Sequence, residues 1–480
     1  MKTKLIFIIA IIFSFTEIFS QTNGSSGLSD ARSLGMAGTY INSAKGLYSI
    51  GINPANLSLD TTATLEIIAP VPLPKVAAKV GTNFMSLDEY NYFFGYSTTN
   101  ENGDKVGRYL TENDKTRLKN LFKDGGSIFI DQNVQLFGIA LNPSNGFGTL
   151  AFTIGDVISA KVTVPKNLVV LGLDGNKLNT VYNFSDMDLK SWWLRKYALS
   201  YSNSFDIIPG IQDFSFGVSL NFIKGYSYLS IDKVKTELTT NENYEIVGRG
   251  SFVAHSAFSP DFGVKYDFDN SPDKTSKFSV FPEPAGTGFG LDFGFTAKID
   301  NVFSAGLAFT DLGKITWEKN VAEYKSDKPF FLDDPTNQNQ RDSLVDALKG
   351  KDSGKFIDKL ETELASAMRI GFSAQVDQMF DGDFPGTMIV DINLNKGFNN
   401  QPGNSTNSRL SLGIDWNLTS LFAFRTGLSF GGIDKFNWGL GLGFDFGIFE
   451  INLGSPDFHY LLSPNSAKRL TVGLDSRWKF

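Results

Sequence analysis

The chain has 480 residues, no cysteine, two histidines and a formal charge of −7. The lack of cysteine excludes a disulfide framework, a thiolate metal site and a lipid-anchored cysteine together, and the acidic balance argues against a nucleic-acid partner, whose phosphates need clustered Lys and Arg. Beside 47 Gly stand 44 Phe, 15 Tyr and 6 Trp, a mixture of very small and bulky aromatic residues suited to strands with two unlike faces.

Lys2 and Lys4 precede an apolar run from Leu5 to Phe15, and Ile18-Phe19-Ser20 comes before Gln21. This layout predicts a secretory signal peptide over residues 1–20. Beyond it no run of 18 apolar residues occurs, which excludes helical membrane spans.

Residues 30–59 are polar and rich in backbone punctuation. Gly35, Gly38, Gly46 and Gly51 permit positive φ, and Pro54 forces Asn53 out of the helical region, so a compact irregular piece is expected. Ala31-Arg32-Ser33-Leu34-Gly35-Met36-Ala37-Gly38, followed by Asn53-Pro54-Ala55 and Leu57, resembles the N-terminal signature of outer-membrane barrels related to the FadL-type fatty-acid transporters, and is most similar to PorV-like and uncharacterised members from Bacteroidetes. The resemblance implies a 14-stranded β-barrel in the Gram-negative outer membrane. Residues 21–62 would fold into the lumen as a plug, shaped by Arg32, Gly35, Gly38, Asn53, Pro54 and Ala55. The match departs from the family at Asn56, where Gly is usual, and at Ala44-Lys45, which replace an acidic pair.

Residues 63–480 read as the barrel, all-β, with about 14 antiparallel strands (range 12 to 16). The first strand is placed near residues 63–79, with Pro70, Pro72 and Pro74 as a strand kink. An outer loop comes next over 82–126, where Thr111 and Asp114 form a capping box ahead of Leu118, Leu121 and Phe122. Along the rest of the chain, short turns are expected at 142–146, 205–210, 300–301, 380–384, 418–420 and 447–449, and long outer loops at 165–188, 230–285, 312–365 and 455–468. Leu344, Val345, Leu348, Phe356, Ile357, Leu360 and Leu364 predict a small helical hairpin in one of them.

Period-two alternation carries the strand assignment. Phe289, Leu291, Phe293 and Phe295 face away from Gly290, Asp292, Gly294 and Lys298. Met368, Ile370, Phe372 and Val376 oppose Arg369, Gly371, Ser373 and Asp377, while Leu412, Ile414 and Trp416 oppose Ser411, Gly413 and Asp415. Phe422, Phe424 and Leu428 alternate with Arg425 and Gly427, and Trp438, Leu440, Leu442, Phe444 and Phe446 with Gly439, Gly441, Gly443 and Asp445. Charges fall on one parity, which must be the lumen, because Arg or Lys facing lipid at mid-bilayer costs about 2–4 kcal/mol. Asp292, Lys298, Arg369, Asp415, Arg425 and Asp445 are therefore placed inside. The small residues among them leave room for a plug. All six Trp lie near strand ends, as an aromatic girdle requires. The last strand ends in Trp478 and Phe480, which resembles the assembly signal read by barrel assembly machinery.

Little speaks for an enzyme. His255, beside Ser256, is read as a loop residue with no spaced acidic partner, and Asp377, Asp381 and Asp383 lack the closing glutamate of a calcium loop. No metal or cofactor is expected. The expected function is binding or transport of small hydrophobic or amphiphilic molecules, gated by the plug. The alternative is a PorV-like barrel serving secretion components or surface proteins through its outer loops.

Overall fold

The computed structural model describes residues 28–59 and 63–480, apart from 100–101, 108, 144–145, 206–210, 270–271, 273–274, 278, 327–329, 333–337, 340–341, 343–353, 381 and 383. The predicted signal peptide, Asp381 and Asp383, and Leu344, Val345 and Leu348 of the predicted hairpin lie outside the described residues.

Fourteen antiparallel strands close into a barrel. They are β1 (Leu65–Ile68 and Lys75–Thr82), β2 (Gly126–Leu141), β3 (Thr149–Val164), β4 (Asp188–Phe205), β5 (Asp213–Thr240), β6 (Gly286–Lys298) and β7 (Phe303–Trp317). The second half comprises β8 (Ala367–Gln375), β9 (Thr387–Gly397), β10 (Arg409–Asn417), β11 (Phe422–Gly431), β12 (Lys435–Asp445), β13 (Phe449–Ser455) and β14 (Arg469–Lys479). Closure is made by β14 against β1, with Val76 opposite Leu474 and Val80 opposite Leu470. Short connections gather at one end of the barrel, the turn end, and long ones at the other, the loop end, as the strand pattern predicts.

The proline run does interrupt β1. Proline lacks the N–H a ladder needs, and β14 side chains bridge the gap instead: Ser476 Oγ donates to Leu73 O at 2.6 Å and Trp478 Nε1 to Val71 O at 2.8 Å. The chain end is zipped into the same seam, Phe480 N–H donating to Leu65 O at 2.8 Å.

Parity sorts the side chains. Asp292, Asp415 and Arg425 point inward and are buried, whereas Phe289, Phe372, Leu412, Phe430, Phe444 and Leu470 point outward and are exposed. Each inserted residue in a strand reverses this parity. Registers shift between Gln135 and Phe137 on β2, at Tyr226 on β5, and at Thr310 and Asp311 on β7, where Asp311 takes φ +56°.

Four expectations need correction. Val376 lies in a 3-10 turn, Val376–Met379, and not in β8. Of the six Trp, Trp192 and Trp317 face inward into a buried cluster with Leu194, Ile223, Tyr228, Ile315 and Leu364, so only four belong to the outward-facing set. Phe356, Leu360 and their neighbours are not helical: Gly354–Phe356 and Leu360–Glu363 are strands, pairing with Val321–Ser326 and the end of β7. The apolar spacing there is satisfied by sheet edges that the sequence leaves invisible. His255 lies in a strand, Ile246–Phe258, paired with the part of β5 that continues beyond the barrel and with Val321–Ser326. The capping box of Thr111 and Asp114 forms as predicted on helix Glu112–Leu121.

Candidate functional site: the segment inside the lumen

Asp30 caps a short helix, α1 (Ala31–Gly35), its carboxylate accepting from Ser33 N–H at 2.8 Å. Helix and barrel wall touch backbone to backbone. A Cβ built on Gly441 would stand 2.9 Å from Gly35 Cα, and one on Gly439 2.6 Å from Ala37 N, so only glycine fits this stripe. The alternating glycines of β12 are therefore the seat of the helix.

Downstream, Met36, Tyr40, Ile41, Leu47, Tyr48 and Leu57 form one buried cluster with Ile68 of β1. Fully burying side chains of this size contributes roughly 1.5–3 kcal/mol each. The polar attachments divide into two unlike halves.

From Asp30 to Tyr48 most partners are charged side chains, the neutral exceptions including Asn393, which accepts from Ile41 N–H at 2.9 Å, and Ser304 O, which accepts from Asn42 at 3.3 Å. Ala31 N–H donates to Asp475 at 2.8 Å, Tyr48 O–H to the other oxygen of Asp475 at 2.7 Å, and Leu47 N–H to Glu66 at 2.8 Å. Arg32 pairs with Asp415 at 3.0 Å and approaches Glu450 at 3.8 Å. Asp415 is shared with Arg425 at 3.0 Å, and Glu450 with Arg477 at 3.1 Å. Arg409 donates to Gly38 O at 3.1 Å. Removing one partner of a buried pair of this kind costs about 3–5 kcal/mol.

From Ile50 to Leu59 the partners are neutral. Asn53 Nδ2 donates to Thr296 Oγ1 at 2.9 Å, Ser202 Oγ to Ala55 O at 2.8 Å, and Ser58 and Ser202 hydroxyls lie 2.9 Å apart. Pro54 and Ala55 rest on Gly217 of β5, and Asn53 on Gly294 of β6. Such bonds contribute only about 0.5–1.5 kcal/mol each. The neutral half is thus the weaker attachment.

Hollows lie on both sides of it. One of about 200 Å³ is lined by Tyr40, Ile41, Ile50 and Ile52 of the segment and by Trp192, Leu194, Lys196, Asp292, Asp311 and Arg369. Another of about 860 Å³ opens at the turn end, lined by Ser58 and Leu59 with Asn142, Lys298, Asp300 and Ser304. A third, about 330 Å³, lies at the turn end beside Arg32, Arg425, Asp445 and Lys479.

The expected lumen residues are thus dispersed. Asp415 and Arg425 meet Arg32; Asp292 and Arg369 line the first hollow; Lys298 lines the second; and Asp445 pairs with Lys479 at 2.5 Å beside the third. Sequence reading missed Glu66, Arg409, Glu450, Asp475 and Arg477. Asp475 and Arg477 sit on the parity opposite Leu470 and Val472, so the alternation that placed Asp445 would have found them too.

Outside the barrel, His255 has the acidic partners its sequence context hides. Nδ1 is hydrogen-bonded to Asp232, the inserted residue at a bulge in β5, and Nε2 lies 3.4 Å from Glu323. The Asp232 bond raises the imidazole pKa, against the opposing effect of burial, and Glu323 adds to the rise. Burial pushes Asp232 up, but bonds from His255 and Ser230 outweigh it and leave it below the ordinary carboxylate value. Glu323 is lowered by Lys355 and then by His255. Ser256 points to the opposite face, its hydroxyl 3.1 Å from Tyr266, so it is not aligned with the imidazole. Among the described residues no group of three or more His, Asp or Glu is placed to hold a metal.

A sequence family described as "Family of unknown function (DUF5723)" matches residues 61–455. The chain belongs to this family. No curated protein matches it in sequence. Among solved structures it is similar to the Pseudomonas putida toluene transporter TodX, at 11% identity and TM-score 0.44, covering 94% of this chain and 99% of that one. A Pseudomonas aeruginosa FadL homologue gives 11% identity and TM-score 0.42 over 96% and 99% of the two chains. The translocator domain of the autotransporter NalP from Neisseria meningitidis gives 8% and 0.31 over 87% and 89%.

Proposed function

We propose that this family member is an outer-membrane barrel that passes small hydrophobic or amphiphilic molecules, with residues 30–59 acting as its plug. Apart from the paired Asp156 and Arg195 on β3 and β4, the outward faces carry mainly aromatic and aliphatic side chains, which a bilayer covers and water does not. In this reading the turn end faces the periplasm, the loop end faces outward, and Trp478 and Phe480 serve as the assembly signal.

The observation that carries the reading is the unequal attachment of the plug. Its ionic half is pinned to β1 and β9–β14, while its neutral half stands between the 200 Å³ and 860 Å³ hollows. Displacing Ile50–Leu59 from the serine and threonine wall of β4–β6 joins the two without breaking a buried ion pair. The first hollow sets isoleucines and Trp192 against Asp292, Arg369 and Lys196, the last paired with Asp311 at 2.5 Å, a lining suited to a small molecule with an apolar body and a polar head.

The absence of cysteine makes the gate directly testable. A Ser58→Cys, Ser202→Cys pair replaces hydroxyls 2.9 Å apart, close enough for a disulfide. Oxidised, it should abolish octanoate uptake by expressing cells, with recovery on reduction. Equal uptake in the oxidised and reduced forms would overturn the gate.

The sheet built beyond the barrel from β5, Ile246–Phe258 and Val321–Ser326 favours a second reading, a platform for secretion components or surface proteins. Co-isolation of such proteins, lost on trimming this sheet and without bound small molecule, would support it.

A further inference from the structure

The connection between β13 and β14 does not stand up from the barrel rim. Its helix, Phe458–Leu462, lies on the outside of the wall. Phe458 meets Trp438 edge-on at 5.2 Å, and the His459 ring meets Phe436 at 5.5 Å. Both partners belong to the outward parity of β12, since Asn437 and Gly439 between and beside them face the lumen. The helix therefore occupies space that lipid would otherwise fill. Its own Leu461 and Leu462 are 72% and 67% exposed.

A second helix abuts the 3-10 turn Pro464–Ser466 that follows it. Leu87–Phe94 begins with a capping box at Ser86 and Glu89, and Leu87 N–H donates to Ala467 O at 2.8 Å. Ala467 is three residues from Leu470, the first outward-facing residue of β14, so the helix starts within about 10 Å of the apolar wall. Phe93 turns inward onto Met85 and Leu118. Leu87, Tyr90 and Phe94, spaced i, i+3, i+7 on one face, are 44%, 54% and 59% exposed.

We propose that Leu87, Tyr90, Phe94, Leu461 and Leu462 form one apolar patch that docks in the outer leaflet, at the boundary between headgroups and acyl chains. Lipid is the occupant because one helix of the patch lies on the outward-facing wall at Phe436 and Trp438 and the other is tied to the chain just before β14. Short amphipathic helices with aromatic and leucine faces hold this depth. The same arrangement recurs across the barrel, where Phe262 stacks on outward-facing Trp193 at 5.7 Å and leaves Phe281 exposed nearby. The outer loops thus form a collar that grips the leaflet and fixes how deep the barrel sits.

This inference rests on the membrane reading, and the test separates the two. Single cysteines at Tyr90, Phe94 and Leu461 are labelled with an environment-sensitive nitrobenzoxadiazole dye and the protein is reconstituted into phosphatidylcholine vesicles. Cysteines at outward-facing Leu412, on β10, and at solvent-exposed Glu112 give the lipid and water references. At the three patch positions brominated lipid should quench at least half as strongly as at Leu412, and iodide several-fold less than at Glu112. Iodide quenching equal to that at Glu112 overturns the collar and leaves the barrel in the membrane. Protection from both quenchers that grows with protein concentration means a second copy covers the patch, and also overturns it. Iodide quenching at Leu412 itself overturns the membrane reading.

Discussion

Replacing Gly441 with valine tests whether the lumen wall is built around α1. The new Cβ meets Gly35 Cα at 2.9 Å, and a Cβ on Gly35 would meet Gly441 Cα at 2.8 Å, so both surfaces are backbone and neither can rotate away. Overpacking of this kind costs about 1–3 kcal/mol. The barrel ladder is the stiffer partner, so the strain is relieved by lifting α1, which loosens Ala31 from Asp475 and Arg32 from Asp415. A shift of 1–3 kcal/mol in the docking equilibrium raises the undocked population about 5- to 150-fold. Limited trypsin digestion reads it directly, because Arg32 is enclosed when docked. Cleavage after Arg32 should accelerate in Gly441→Val and stay at the wild-type rate in Leu442→Val, one residue along and facing outward. If Gly441→Val protects Arg32 as well as the wild type while still migrating as a heat-modifiable barrel, α1 is not seated on the glycine stripe.

Two further predictions concern charge. Asp415→Asn strips a carboxylate from both Arg32 and Arg425 and should cost about 3–5 kcal/mol; Arg32→Gln should cost less, because Asp415 keeps Arg425 and Glu450 keeps Arg477. Thermal unfolding in detergent ranks them, and equal losses would contradict the shared-carboxylate arrangement. In the outer sheet, His255 has a raised folded pKa, so its contribution is complete below the unfolded value of about 6.5 and is lost as pH rises through the folded value. Asp232 and Glu323 are lowered, so theirs is complete above about 4 and lost as pH falls through their folded values. Amide exchange in Ile246–Phe258 should be slowest between these limits, and His255→Gln should remove the loss on the alkaline side. An unchanged profile in the variant would dismiss the histidine.

Much of the barrel was legible because a strand repeats every two residues, and an apolar outer face with a polar lumen inside leaves both parities marked. Trp438 to Asp445 is the clearest instance, and its glycines signalled close backbone approach as well. Bulges were not legible: nothing around Tyr226 or Asp311 announces an extra residue, yet each flips the face of every later residue in its strand. The bulge at Asp311 is what turns Trp317 inward; Trp192 lies on β4, which carries no inserted residue, and its nearness to the strand end alone suggested the girdle. The outward-facing Asp156 and Arg195, paired at 2.6 Å and capped by Val280 O at 2.9 Å from Arg195 Nη1, were not legible either, because no parity rule would accept them. Pairings between distant loop segments were hidden for a different reason. Leu360 to Leu364 offers helical spacing locally, and only the edge of β7 makes it a strand. Within the lumen, the glycines and single charges of the site were readable one by one, but their grouping around Arg32 depends on which strands become neighbours on closure.

In the proposed mechanism residues 30–59 close the lumen. Planar-bilayer conductance of the full chain, compared with a variant lacking residues 30–59 that retains heat-modifiable migration, tests it most directly. The full chain should hold the bilayer closed and the deletion should open a steady conductance in every incorporated barrel. Steady conductance in the full chain equal to that of the deletion, or a deletion that remains closed, would contradict it.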